Sequence, residues 1–323
     1  MSAVAPAAVL FAVAGLVPLV VRDAFLLDSL VLILIWGTCA AAWNVAGGYA
    51  GQISLGHTAF FGLGAYAAAL LSTRGLSPWL GVAVGALVAM AIGLVIGYLS
   101  NRLRGPYFVL ATIAFSQVLL IVGSRWRGFT AGSEGIPVPF RPGFWTLGIA
   151  DKRIWVWIVL VLAVLAWLVE IYLDRSRRGY QLVAVREDED AALSLGVPAR
   201  WLKVAAICVS AALTAACGAL WAQYIGFVDP FYVFSVDLSI KFALAAIIGG
   251  LGTALGPFLG AALVTTVETY LRAQFGGIGA GFVGIYLIVY GCALMVMVRW
   301  VPQGLVGWIA DRLRRRAVAR AAP

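Results

Sequence analysis

Gln52, Ser54, His57 and Thr58 bring four polar side chains into seven residues of an otherwise apolar region. An amide, two hydroxyls and an imidazole offer hydrogen bonds rather than fixed charge. Gly47, Gly48, Gly51, Gly56, Gly62 and Gly64 lie among and beside them. Small residues at this density let helices pack closely. They equally suit an unwound segment, whose freed backbone N–H and C=O groups line a route for a polar solute. A second interruption, Gly249-Gly-Leu-Gly-Thr-Ala-Leu-Gly-Pro257, offers Thr253 in a similar setting. Under the second reading, Gln52, Ser54, His57, Thr58 and Thr253 face a translocation path.

A different chemistry belongs to the charged stretch 174–203. The spacing predicts a short amphipathic helix over 186–196. Arg186 and the acids Glu187, Asp188, Glu189 and Asp190 stand at its start, and Ala191, Ala192, Leu193 and Leu195 follow, with Gly196 and Pro198 ending it. Acids suit the positive end of a helix dipole, and glycine followed by proline suits its stop. Such a helix between two membrane spans can grip a soluble partner. Leu193 and Leu195 would be its apolar anchors, and Arg186 with the acids would set its orientation.

Other chemistries are excluded. There is no phosphate loop and no Gly-Lys dipeptide, so this chain does not cradle ATP in that way. It contains one histidine, no metal-ligand spacing and no serine nucleophile elbow, so an enzyme working alone is not expected. Cys39, Cys208, Cys217 and Cys292 are scattered through apolar segments without a CxxC pair, and read as small buried hydrophobes.

The elements that must hold these residues follow from composition. The 323 residues are 63% hydrophobic and 11% charged, with a mean hydropathy of +0.99. A soluble domain carries about a quarter charged residues. Apolar runs of the ~20 residues that cross a bilayer recur throughout. The fold class is therefore all-α, a polytopic helical membrane protein with about eight to ten membrane segments, some of them broken or re-entrant. Candidate spans are 3–21, 30–46, 54–72, 79–99, 107–123, 154–173, 204–225, 242–267 and 278–298. Arg22 follows the first apolar run rather than preceding it, which favours a retained span over a cleaved signal peptide. The net charge of +9 sits at span ends and in the tail, a pattern of topology and anionic lipid headgroups, not of nucleic-acid binding.

Residues 1–323 read as one transmembrane domain. The positive-inside rule places 174–203 and the basic tail 299–323 in the cytoplasm, and loop 124–153 on the outer face. Three simple crossings after 203 would leave the tail outside, so one segment must fold back. The best candidate is 242–267, broken at its glycines. Ionisable residues at span ends, among them Glu170, Asp237, Lys241, Glu268 and Arg272, read as interfacial. Their scarcity within spans weakens an ion-coupled carrier acting alone.

The run Asn44-Val-Ala-Gly-Gly-Tyr-Ala-Gly-Gln-Ile-Ser-Leu-Gly-His-Thr-Ala-Phe-Phe-Gly-Leu-Gly-Ala-Tyr66 closely resembles the signature of LivM-type permeases, the membrane subunits of branched-chain amino-acid ABC importers. Leu103–Thr112, Gly132–Ile136, Ser176–Gly179 through Gly196, and Ile248–Pro257 agree in order, so the resemblance covers roughly 30–300. The family often has Thr-Gly-Gly where this chain has Thr130-Ala131-Gly132, a departure that matters if position 131 needs φ > 0.

The resemblance implies half of a channel in the bacterial plasma membrane. A related permease subunit would complete a heterodimer, and two cytoplasmic ATPase subunits would hold ATP and Mg, with no cofactor on this chain. An extracytoplasmic substrate-binding protein would deliver branched-chain or other mainly apolar amino acids. Urea and related amides are the alternative cargo. The segment 186–196 would then be the coupling helix, lying along the membrane surface in a groove of an ATPase subunit.

Overall fold

A computed structural model describes residues 4–275 apart from 101, 102 and 104, together with 291, 295, 304–308 and 312. The span expected over 278–298 and most of the tail 299–323 lie outside the described residues.

Among the described residues up to 275, the α-helices follow in order: α1 (Val4–Val20), α2 (Ala24–Asn44), α3 (His57–Thr73), α4 (Pro78–Ser100), α5 (Pro106–Arg125), α6 (Arg127–Thr130), α7 (Lys152–Arg175), α8 (Arg177–Glu187), α9 (Glu189–Ser194), α10 (Ala199–Ile225), α11 (Pro230–Val233), α12 (Val236–Gly249) and α13 (Gly256–Phe275). A π-helical turn, Val45–Tyr49, prolongs α2. The described sheet is one two-residue pair. Its strands β1 (Ile136–Pro137) and β2 (Phe227–Val228) run antiparallel and tie the 124–153 loop to the connection after α10.

The molecule is a polytopic helical membrane protein. Six helical stretches among the described residues are long and apolar enough to cross a bilayer: Ala24–Tyr49, Pro78–Leu99, Pro106–Arg125, Lys152–Arg175, Ala199–Ile225 and Pro230–Gly249. That is fewer than the expected eight to ten. The first span is shorter, with an apolar helix at Ala7–Val20. The helix expected over 54–72 begins only at His57, because residues 50–56 are irregular, non-helical backbone.

The segment 242–267 folds back at its glycines as expected: α12 ends at Gly249, the chain reverses at 250–255, and α13 begins at Gly256, so the two flanking helices form a hairpin. In α12 and α13 the backbones touch, since a side chain at Gly260 would overlap the Ala245 carbonyl. Gly304 returns beside Gly250, and Leu305 packs with Ile248 and Val264.

Small residues draw the central helices together. A Cβ at Gly64 would collide with the Ala215 carbonyl, and one at Gly218 with the Phe61 carbonyl, so α3 and α10 meet backbone to backbone. Around this seam Trp36, Phe61, Trp221 and Phe242 form an aromatic core. The two ends of the bundle carry polar ties. At one end Asp28 accepts from Lys152 Nζ at 2.9 Å and from the Tyr224 hydroxyl. At the other, Tyr49 donates to Asp174 at 2.6 Å. Helices α2 and α7 therefore run parallel and α10 runs against them.

Candidate functional site: two helix breaks and the segment beneath them

The first break is built by residues that stop a helix without stranding its backbone. Trp43 Nε1 donates to the Ser54 carbonyl at 2.7 Å and pins the irregular stretch against α2. The Leu55 N–H finds Thr112 Oγ1 on α5 at 3.2 Å, and the His57 N–H finds Ser239 Oγ on α12 at 3.1 Å. Backbone donors freed by the break are thus satisfied from neighbouring helices, as a low-dielectric setting demands.

His57 and Thr58 sit deeper, at the start of α3, and both are fully buried. The Ser210 hydroxyl donates to the Ala42 carbonyl at 2.6 Å, so its oxygen accepts from His57 Nε2 at 2.7 Å. That places the imidazole proton on Nε2 and leaves Nδ1 without a partner among the described residues. Thr58 pairs with Ser116 of α5 at 3.0 Å, while Ser116 donates to the Phe234 carbonyl. Ser54 and Gln52 are both buried, and Gln52 is among the lining residues of a cleft described below.

The second break closes on itself. Thr253 Oγ1 donates to the Gly250 carbonyl at 2.8 Å, so its hydroxyl is spent within its own turn. Gly250 and Gly252 take φ of +129° and +67°, a region that L side chains rarely adopt.

Asn44 joins the two breaks. Its Oδ1 accepts from the Gly252 N–H at 2.9 Å, and its Nδ2 donates to Glu170 Oε1 at 2.7 Å. Glu170, read from sequence as an interfacial charge, is instead fully buried in α7, with Oε2 unpartnered among the described residues. Sequence reasoning missed both Asn44 and Glu170 as parts of the site. The available signal was Glu170 with Asp174, four apart and hence on one face of an apolar helix.

The segment beneath the breaks differs from its expected form. The helix expected over 186–196 is two helices. Arg186 and Glu187 end α8, and Asp188 starts the six-residue α9 by accepting from the Ala191 N–H at 3.0 Å. The extra junction arises because Asp188 is extended and its carboxylate caps a new helix. Gly196, at φ +80°, ends it. Ala192 is buried against Val185 and Ala199, whereas Leu193 and Leu195 are 47% and 85% exposed. Glu189 pairs with Lys203 at 2.6 Å.

Arg186 turns inward. Its Nη1 donates to the Gly48 carbonyl at 2.7 Å, and its stem lies against Gly51. Between this segment, the first break and the start of α5 opens a cleft of about 810 Å³, whose lining includes Gln52, Pro106, Arg186 and the acids Glu187 to Asp190. The structure therefore brings Gln52, Thr253 and the 186–190 group to one end of the bundle. His57 and Thr58 are held in the helix seam, and Leu193 and Leu195 are left on the surface.

A polytopic bundle broken twice by glycine, with a capped surface helix below, matches a known family in sequence. Residues 25–298 match the branched-chain amino acid transport system / permease component family. The chain belongs to that family. Among similar proteins, this permease is 30% identical over 311 residues to the high-affinity branched-chain amino acid transport system permease protein LivM of Escherichia coli, covering 89% of this chain and 71% of that one. It is 26% identical over 288 residues to the corresponding LivH permease protein of Salmonella typhimurium, covering 83% and 90%. A shorter match, 28% over 211 residues, is to the autoinducer 2 import system permease protein LsrC of Yersinia pestis, covering 61% and 56%. No solved structure matches. The permease is thus a multi-pass protein of the bacterial inner membrane and a permease subunit of an ABC importer.

Proposed function

We propose that this permease carries branched-chain or other mainly apolar amino acids inward, as one half of a heterodimeric channel with a related permease subunit. An extracytoplasmic binding protein delivers the solute, and two cytoplasmic ATPase subunits, which hold the ATP and Mg, drive the cycle. This chain contributes no catalysis of its own. Segment 186–196 is the surface on which an ATPase subunit docks, with Leu193 and Leu195 as apolar contacts and Arg186 with the acids 187–190 orienting them. Gln52, Ser54, His57, Thr58 and Thr253 belong to the path.

The observation that supports this reading most directly is the cleft in which Gln52 of the first break faces the acids of the docking segment. A change in the segment's position alters the wall of the break without an intervening element. A solute with ammonium and carboxylate groups then meets hydrogen-bonding groups rather than one strong ion pair, which favours release. The test is uptake into proteoliposomes holding this chain, the partner permease and both ATPase subunits, with loaded binding protein outside. Uptake and ATP hydrolysis should both depend on a binding protein loaded with leucine, isoleucine or valine. Stimulation by a urea- or amide-loaded binding protein instead would reassign the cargo, and ion-driven uptake by this chain alone would overturn the mechanism.

A further inference from the structure

From the α8–α9 segment, Arg186 reaches in beside both helix breaks. Nη1 donates to the Gly48 carbonyl, within the π-helical turn that begins the first break, at 2.7 Å. The same nitrogen lies 3.2 Å from where a Cβ would stand on Gly252, the residue at the tip of the second break. Its stem packs on Gly51, which has φ +68° and would place a Cβ only 2.7 Å from Arg186 Cγ. At the guanidinium's other edge, Nε and Nη2 hold Glu187 Oε1 at 3.1 and 2.7 Å, so the fork is fixed in direction by its own helix. Beyond the breaks the chain of contacts continues from the Gly252 N–H to Asn44, and from Asn44 to the buried Glu170 of α7. Two glycines, Gly51 and Gly252, let the arginine approach backbone so closely.

We infer that Arg186 is a positioning residue that pins the α8–α9 segment to both glycine breaks, so that the three move as one body during the transport cycle. This deepens the reading above, since it presumes that an ATPase subunit acts on that segment. A charge-assisted hydrogen bond to a carbonyl resists displacement more than a neutral one does. A planar fork also transmits direction, which a lysine ammonium on a flexible stem does not.

The test uses the assembled complex in proteoliposomes, with R186A, R186K and the parent chain compared for solute moved per ATP hydrolysed. In parallel, spin labels replace exposed Tyr180 on α8 and Leu251 on the second break, in a background without native cysteines, and their separation is measured with and without bound ATP. The parent should show one narrow distance in both states. R186A should move about tenfold less solute per ATP and show a distance that shifts or broadens between states. R186K, whose donors sit on a single nitrogen with no planar fork, should fall between them. If R186A does not assemble, R186Q replaces it, keeping the Cβ and Cγ that pack on Gly51. An R186A or R186Q complex with parental solute per ATP and an unchanged distance overturns the inference. A parent complex with no ATP-driven uptake would instead strike the reading on which the inference rests, so the two failures are told apart.

Discussion

Single residues in this chain are held by few, specific partners, and two of them make sharp predictions. Ala131 adopts φ +58°, a left-handed backbone next to Gly132 at +64°. An L side chain there costs roughly 1–2 kcal/mol, part of which glycine's extra freedom in the unfolded chain offsets. Ala131→Gly should therefore stabilise the protein by about 1 kcal/mol, seen as a higher unfolding temperature in detergent; a lower one would refute the strain. Glu170 and Asn44 form the second case. Removing the carboxylate leaves the buried Asn44 amide without its 2.7 Å acceptor, at a cost of about 1–3 kcal/mol. Glu170→Ala should unfold earlier by that margin, while Glu170→Gln, which keeps an acceptor oxygen, should stay close to the parent.

At the scale of elements, the junction at Asp188 divides α8, which faces the breaks, from α9, which presents its leucines outward. Leu195→Asp should leave folding and insertion intact, because the side chain is 85% exposed. It should lower solute moved per ATP at least severalfold by placing a charge where an apolar contact with the ATPase subunit is proposed. Equal stoichiometry in the variant and the parent would remove α9 from that role. The helix α5 behaves differently from the core helices. Its buried residues are confined to Phe108, Thr112, Ser116 and Gly123, and two of these are hydroxyls bonded to the first break and α3. A cysteine at Gln52, buried in the cleft lining, should react with a water-soluble thiol reagent as the α8–α9 segment moves and opens the cleft. A cysteine at Thr58 should react only in states where α5 parts from α3. Labelling at 58 in the resting complex would mean that the seam is already wet.

For the whole molecule, the polar ties at Asp28 and at Tyr49 mark opposite ends of one bundle, with the 124–153 loop at the first and the α8–α9 segment at the second. The positive-inside rule proposes an orientation for those ends, with the arginine-rich 174–203 on the cytoplasmic side. A membrane-impermeant maleimide applied to right-side-out vesicles should label a cysteine replacing the exposed Trp145 and spare one replacing Ser194. The reverse pattern would invert the topology. The hairpin at 250–255 also answers the parity of the chain: α10, α11–α12 and α13 alternate in direction, and Gly304 comes back to Gly250.

Membrane residence, the all-helical class, the two glycine breaks and the short acidic helix were legible in the amino-acid order, because each rests on local chemistry. Apolar run length decides burial in lipid, glycine decides where a helix fails, and an acidic first turn followed by glycine decides a short helix. Span number was less legible, since a seven-residue non-helical stretch after the π turn and a hairpin at 250–255 look, in hydropathy, like continuous apolar segments. The partners of Asn44, Glu170 and Arg186 were not legible at all. Asn44 and Glu170 stand 126 positions apart, and Arg186 reaches Gly48 across 138. Only the packing of α2 beside α7, over the hairpin tip, decides that a carboxylate reads as buried rather than interfacial, and that an arginine in a charged surface run points inward.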